Sequence, residues 1–165
     1  MCDSLKGLLR VELEPAGKIT VLANSLSPSS SGAGPQLGGN SHIINYANDL
    51  DVASDGTIFF SSSTASSIAE HPAGFYDTMR SFLLNMCCGD HTGRLLAHQP
   101  STGDTSEIIS GLWYANGVSI SHDEKSVLVV RGPCACISTV LVLDDDSFSH
   151  NVDRSDNHCE RKLWV

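Results

Sequence analysis

Two asparagines, Asn48 and Asn116, are the residues of this chain best suited to chemistry, because they recur at the same point of a repeat. They lie 68 positions apart, as do the aspartates Asp55 and Asp123 that follow them. Taken singly, Asn48-Asp49 and Asn116-Gly117 are turn-forming dipeptides. Their recurrence points instead to a shared use of the side chain. An amide oxygen can coordinate a hard cation without adding charge, and Asp49 would contribute a carboxylate beside the first amide. Calcium takes about six to eight oxygens, so Asn48, Asn116 and Asp49 form part of a ligand set and not the whole of one.

The other reactive side chains form weaker patterns. His42 precedes Asn48 by six residues, and His71 and His91 flank an apolar segment between the two copies. A single loop histidine is more often solvated than basic in function. The serine clusters contain no Gly-x-Ser-x-Gly elbow, so no activated serine is indicated and the catalytic residues are not assignable from the pattern. Six cysteines, Cys2, Cys87, Cys88, Cys134, Cys136 and Cys159, give no disulfide framework. Cys134-x-Cys136 is tighter than zinc-knuckle spacing, even with His150 and His158 nearby. No Asn-x-Ser/Thr acceptor occurs.

The elements that must position the asparagines are β-strands. Each copy reads as an Asn at a strand mouth, an alternating strand, a polar turn and an apolar strand: residues 47–60 and again 115–129. The segments before them correspond too, Gly7-Leu8-Leu9-Arg10 matching Gly93-Arg94-Leu95-Leu96. A β unit repeated at this scale indicates a propeller or solenoid, with blades of about 40–50 residues. Strands are expected at 8–13 and 18–23 around the turn Glu14-Pro15-Ala16-Gly17, and at 50–54 and 57–61 around Asp55-Gly56. Further strands are expected at 93–98, 106–110, 117–121 and 126–130. Residues 25–41, rich in Ser, Gly and Pro, read as a surface loop near the mouth of the site. Ser61 to Ser67 reads as loop. Phe75, Met79, Phe82 and Met86 fall at helical spacing, which predicts a short helix or an irregular lid over 75–86. Residues 131–165 diverge; Ile137 to Leu143 suits a strand, and 144–165 reads as a disordered tail. This is an all-β chain holding about three blades, too few to close a ring, so it reads as part of a longer protein with strand edges open to self-association.

Charge narrows the partners. Nineteen acidic residues against ten basic give a net charge of −9, which disfavours nucleic acid and anionic membranes. No apolar run is long enough to span a bilayer, and residues 1–7 lack the pattern of a signal peptide, so the sequence assigns no compartment. A small molecule is the expected partner.

Four strings, Cys2-Asp3-Ser4-Leu5-Lys6-Gly7-Leu8-Leu9, residues 48–60, Gly93-Arg94-Leu95-Leu96 and Tyr114-Ala115-Asn116-Gly117-Val118, resemble the strictosidine synthase-like family, which is related to the paraoxonases and gluconolactonases. The resemblance covers residues 1–130. It implies a six-bladed β-propeller, a central calcium at the positions of Asn48 and Asn116, and often an address in the secretory pathway. The implied activity is calcium-supported ester or lactone hydrolysis of the arylesterase kind. A strictosidine synthase-type lyase of alkaloid biosynthesis, or a truncated, non-catalytic product or binding scaffold, are the alternatives. Two departures stand out: Ser62 and Arg131 occupy places where the family commonly carries Asp and Glu.

Overall fold

The computed structural model describes residues 1–13, 17–28, 42–66, 68 and 74–132, together with the backbone of 136–141. The turn 14–16, most of the 25–41 loop, His71 and the tail from 142 lie outside the described residues. Among the described residues ten strands and one helix follow in order. They are β1 (Cys2–Asp3), β2 (Gly7–Val11), β3 (Ile19–Ala23), β4 (Ala47–Val52), β5 (Ile58–Ser62), α1 (Thr78–Cys88), β6 (Gly93–Gln99), β7 (Asp104–Leu112), β8 (Ala115–Ile120), β9 (Ser126–Arg131) and β10 (Cys136–Leu141).

The strands form three antiparallel sheets in which sequence neighbours are spatial neighbours: β1-β2-β3, β4-β5-β6-β7 and β8-β9-β10. The middle sheet is a complete four-stranded meander, and β8 and β9 repeat its first two strands. The expected strands are present, with β4 and β8 starting earlier than the polarity pattern suggested. β10 pairs with β9 from Cys136 opposite Arg131 to Leu141 opposite Ser126.

The sheets stack face to face, as blades do. Successive side chains of a strand point to opposite faces, and in the middle sheet both faces are buried. Phe60 and Leu96 join Leu8, Ala23, Ile44 and Ala47 in a core shared with the first sheet. Phe59, Leu95 and Ala97 face the other way, packing with Ala115, Val118, Val127 and Val129 of the third. Burial on both faces explains why β5 and β6 read as apolar runs instead of alternating. Fit between β6, β7 and β8 is close: a Cβ on Gly93 would lie 2.6 Å from the Leu112 carbonyl oxygen and 2.9 Å from the Ala115 nitrogen.

The hairpin turns at the far end of the repeat are also joined. Gly56 adopts φ 89°, and Glu124, its counterpart 68 residues on, adopts φ 55°. A left-handed conformation costs a non-glycine residue about 1–2 kcal/mol. Here the Glu124 carboxylate accepts from the Ser54 hydroxyl at 2.6 Å and the Ser54 N–H at 3.1 Å, tying one turn to the next.

Candidate functional site

Asn48 and Asn116 sit in strands, each at a β-bulge at the mouth of an equivalent strand. On β4 the register steps from Ala47 opposite Ser62 to Leu50 opposite Phe60. On β8 it steps from Ala115 opposite Arg131 to Val118 opposite Val129. In both, three residues of the bulged strand advance against two of its partner, leaving one extra residue where the asparagine lies. Immediately before each bulge stands a tyrosine in the left-handed region, Tyr46 at φ 49° and Tyr114 at φ 52°. Their carbonyls accept equivalent bonds, Tyr46 from Ser63 N–H at 2.9 Å and Tyr114 from Gly132 N–H at 3.0 Å. The repeat is thus preserved in conformation as well as in letters.

The serines at the end of β5 hold the two mouths together. Ser61, Ser62, Ser63 and Thr64 are fully buried; Ser61 and Ser62 belong to β5, which corrects the loop reading at its start, while Ser63 to Ser66 lie beyond the strand as expected. The Ser63 hydroxyl donates to the Ala115 carbonyl at 2.6 Å and accepts from the Asn48 amide nitrogen at 3.0 Å. A hydroxyl has one proton, so its use on Ala115 fixes the Asn48 amide with nitrogen toward Ser63 and Oδ1 on the opposite side. Ser61 donates to the Asn116 carbonyl at 2.6 Å and accepts from Asp49 N–H at 3.2 Å. The main chain of Asn116 is therefore anchored, while its side chain is exposed.

Asp49 reaches across to β8, where one carboxylate oxygen accepts the Val118 N–H at 3.0 Å. Asp51 does the same for Ile120 at 2.8 Å. These two acids satisfy backbone donors on the edge of β8 that β9 does not serve. Nothing in the spacing of the residues singles out Asp51.

α1 lies over the mouths. Asp77 caps its start by accepting the Arg80 N–H at 3.0 Å, and Gly89, at φ 60°, ends it. The helix thus runs from Thr78, slightly later than the expected 75–86. Phe82 and Met86 pack inward with Ile68, Tyr46, Tyr114 and Trp113, whereas Phe75 and Met79 are exposed. Phe82 meets the Tyr114 ring edge-on at 5.3 Å. The Tyr114 hydroxyl donates to that of Tyr46 at 2.8 Å, which in turn donates to the Thr78 carbonyl at 3.4 Å. Burial, then the bond to Tyr46, pushes the Tyr114 phenol well above its ordinary range, so it stays neutral and serves as a link, not a base. The pair was legible in the sequence as one more 68-residue coincidence.

The remaining reactive side chains make contacts of their own. His98 is buried with Nδ1 2.9 Å from the Thr105 hydroxyl, and His91 stacks on Trp113 at 5.5 Å. His42 is exposed. Cys2, Cys87 and Cys88 are free thiols, and burial pushes that of Cys2 up to about 12. Among the described residues no three His, Cys, Asp or Glu side chains cluster as metal ligands. No helix among the described residues is long and apolar enough to cross a membrane.

The sequence profile of the strictosidine synthase family matches residues 48–145, from the first asparagine through β10. The chain belongs to that family. Strictosidine synthase family members are β-propellers, and the three stacked sheets are part of one. The chain is 34% identical over 85 residues to the strictosidine synthase-like 13 protein of Arabidopsis thaliana, covering 52% of this chain and 19% of the relative. It is 28% identical over 143 residues to the adipocyte plasma membrane-associated protein of Salmo salar, covering 86% of this chain and 29% of that protein. The strictosidine synthase-like 3 protein of Arabidopsis thaliana is 26% identical over 89 residues, 54% of this chain and 20% of its own length. The chain therefore spans between a fifth and a third of the relatives it matches. The family match continues past residue 130. Both departures noted in the sequence fall on one structural position, since Ser62 stands opposite Ala47 and Arg131 opposite Ala115.

Proposed function

We propose that the longer protein to which this sequence corresponds is a calcium-supported ester or lactone hydrolase, and that the rim carrying Asn48 and Asn116 contributes to its cation site. The observation that supports this reading is the duplication of one device: a bulged strand mouth presenting an amide, on adjacent inner strands. The donor set suits a hard cation in kind. Asn48 offers Oδ1 because Ser63 holds its nitrogen, Asn116 offers an exposed amide, and Asp49 keeps one carboxylate oxygen beyond its bond to Val118.

A bound calcium would act as a Lewis acid toward a carbonyl oxygen and stabilise the developing oxyanion. The chain's own residues do the positioning. Ser63 and Ser61 set the spacing of the two mouths, and Asp49 and Asp51 lock β8 against β4. The apolar underside of α1, with Phe82 and Met86, packs on the two tyrosines that precede the mouths.

Calcium titration by calorimetry, together with esterase and lactonase assays, both on the longer protein, tests the reading. Asn48→Ala and Asn116→Ala should each weaken calcium binding by at least about tenfold, the worth of one lost ligand. Chelator should abolish hydrolysis. Unchanged calcium affinity in both variants, or hydrolysis that survives chelation, refutes the proposal. A second reading, a non-catalytic scaffold, is favoured by Ser62 and Arg131 at the position where acids were expected. It predicts no calcium binding and no turnover in the longer protein, including none of an amine with an aldehyde.

A further inference from the structure

Tyr46 and Tyr114 hold a left-handed backbone that bulky side chains rarely adopt, each two residues before an amide of the rim. Such a residue costs about 1–3 kcal/mol and persists where its surroundings over-determine it. Main chain supplies one restraint: the Ser63 N–H bonds the Tyr46 carbonyl at 2.9 Å and the Gly132 N–H that of Tyr114 at 3.0 Å. α1 supplies the other. Phe82 packs edge-on against Tyr114 at 5.3 Å, and the Tyr46 hydroxyl reaches the Thr78 carbonyl at 3.4 Å. The segment entering α1 is tied to the first sheet as well, since the Tyr76 hydroxyl lies 3.2 Å from each Asp3 carboxylate oxygen. The helix and its lead-in therefore join all three sheets.

α1 itself is lightly held. Of its 11 residues only Asn85 is buried, and Met79, Leu83 and Leu84 are more than half exposed. Burying Asn85 is itself unfavourable in part. Asp90 takes its amide nitrogen at 3.2 Å, but its Oδ1 has no hydrogen-bond partner among the described residues. An element with few buried apolar contacts opens locally at a lower free energy than the sheets it covers. Release of α1 would hydrate Asn85 and remove the Phe82 and Thr78 contacts that help keep both tyrosines left-handed. We infer that α1 is a strap that regulates the rim: docked, it holds both mouths in the conformation that presents Asn48 and Asn116, and released, it lets them relax. Calcium uptake and docking of α1 then promote each other, which rests on the calcium reading of the rim. Coupling of this kind is reciprocal and typically changes an affinity by about 5- to 150-fold.

Hydrogen exchange of the longer protein, with and without calcium, tests this, read at the α1 amides and at the Ser63 and Gly132 N–H groups that bond the two tyrosines. Saturating calcium should slow exchange at all of these by at least about fivefold. Phe82→Ala should speed exchange at the same sites without calcium, and weaken calcium binding in calorimetry by at least about fivefold. Phe82→Leu should recover most of both, and Met79→Ala, on the exposed face, should change neither. A merely local packing role for Phe82 would loosen α1 alone and leave Ser63, Gly132 and the calcium affinity unmoved; that result overturns the inference. Calcium-dependent exchange in the parent protein decides the matter even where Phe82→Ala fails to fold. Calcium binding that depends on Asn48 and Asn116 but leaves α1 exchange unchanged refutes the coupling and spares the rim. Absence of calcium binding overturns both.

Discussion

The hydroxyl pair beneath α1 makes an asymmetric prediction. Tyr46 and Tyr114 are 5% and 4% exposed, so neither phenol has water as an easy alternative. In Tyr46→Phe the Tyr114 hydroxyl loses its acceptor and remains a buried, unpaired donor, which costs about 1–3 kcal/mol. In Tyr114→Phe the Tyr46 hydroxyl keeps its long bond to the Thr78 carbonyl, 3.4 Å away. Only one net hydrogen bond is lost, about 0.5–1.5 kcal/mol. Both variants keep the ring that packs edge-on at 5.6 Å between the tyrosines. The double variant leaves no stranded hydroxyl, so its cost should fall below the sum of the two singles by about 1 kcal/mol or more. Urea unfolding followed by the fluorescence of Trp113, which packs on this cluster, provides the measurement. Additive costs, or a larger loss from Tyr114→Phe than from Tyr46→Phe, would refute the assigned direction of the bond and its role as a link between lid and rim.

Three further outcomes are expected. Gly93→Ala should prevent cooperative folding in circular dichroism melts, because the new Cβ meets backbone atoms of β7, β8 and Ser63 that cannot swing aside. A melting temperature near that of the parent chain would contradict the close sheet contact. Burial pushes the His98 imidazole below its ordinary 6.5, with Asp104 opposing. The unfolded chain then binds the extra proton first, so stability should hold above about pH 6.5 and decline as pH falls toward the lower folded value. His98→Gln should flatten that slope in urea unfolding between pH 5 and 7; an unchanged slope would assign it to other groups. Ser63→Ala should cost about 1–3 kcal/mol in urea unfolding, because the Ala115 carbonyl and the Asn48 amide both lose their partner; a loss below about 0.5 kcal/mol would mean another group takes over.

The repeat carried most of the legible information. Spacing alone located the strands and placed Asn48 and Asn116 at matching mouths, because propeller-type sheets repeat locally and their strands pair with sequence neighbours. The burial of the serine run is the part that composition does not carry. Hydroxyls have little packing value by composition, yet Ser61 and Ser63 are buried through bonds to main chain 55 and 52 residues away. Such distant partners leave no local pattern. The helix was visible in the spacing of Phe82 and Met86, but Phe75 and Met79 share that spacing and lie exposed. Periodicity named a helix without separating its buried face from its outer one. Asp49 and Asp51 were ambiguous because a carboxylate that bonds a neighbouring sheet and one that binds a cation look the same in sequence.

The bulge explains how one short string can serve both structure and chemistry. In a regular strand Asn48 and Asp49 would point to opposite faces and only one could contact β8 or its anchor. The extra residue breaks that alternation, so that Asn48 reaches Ser63 while Asp49 reaches Val118. At the bulge the second copy has Gly117 where β4 has Asp49, and a Cβ there would lie 3.8 Å from the Asp49 carboxylate. A larger side chain at 117 would crowd the acid that caps the β8 edge. The two copies are therefore complementary, one supplying the reaching carboxylate and the other the space it enters, and this lets two amide-bearing mouths lie side by side at one rim.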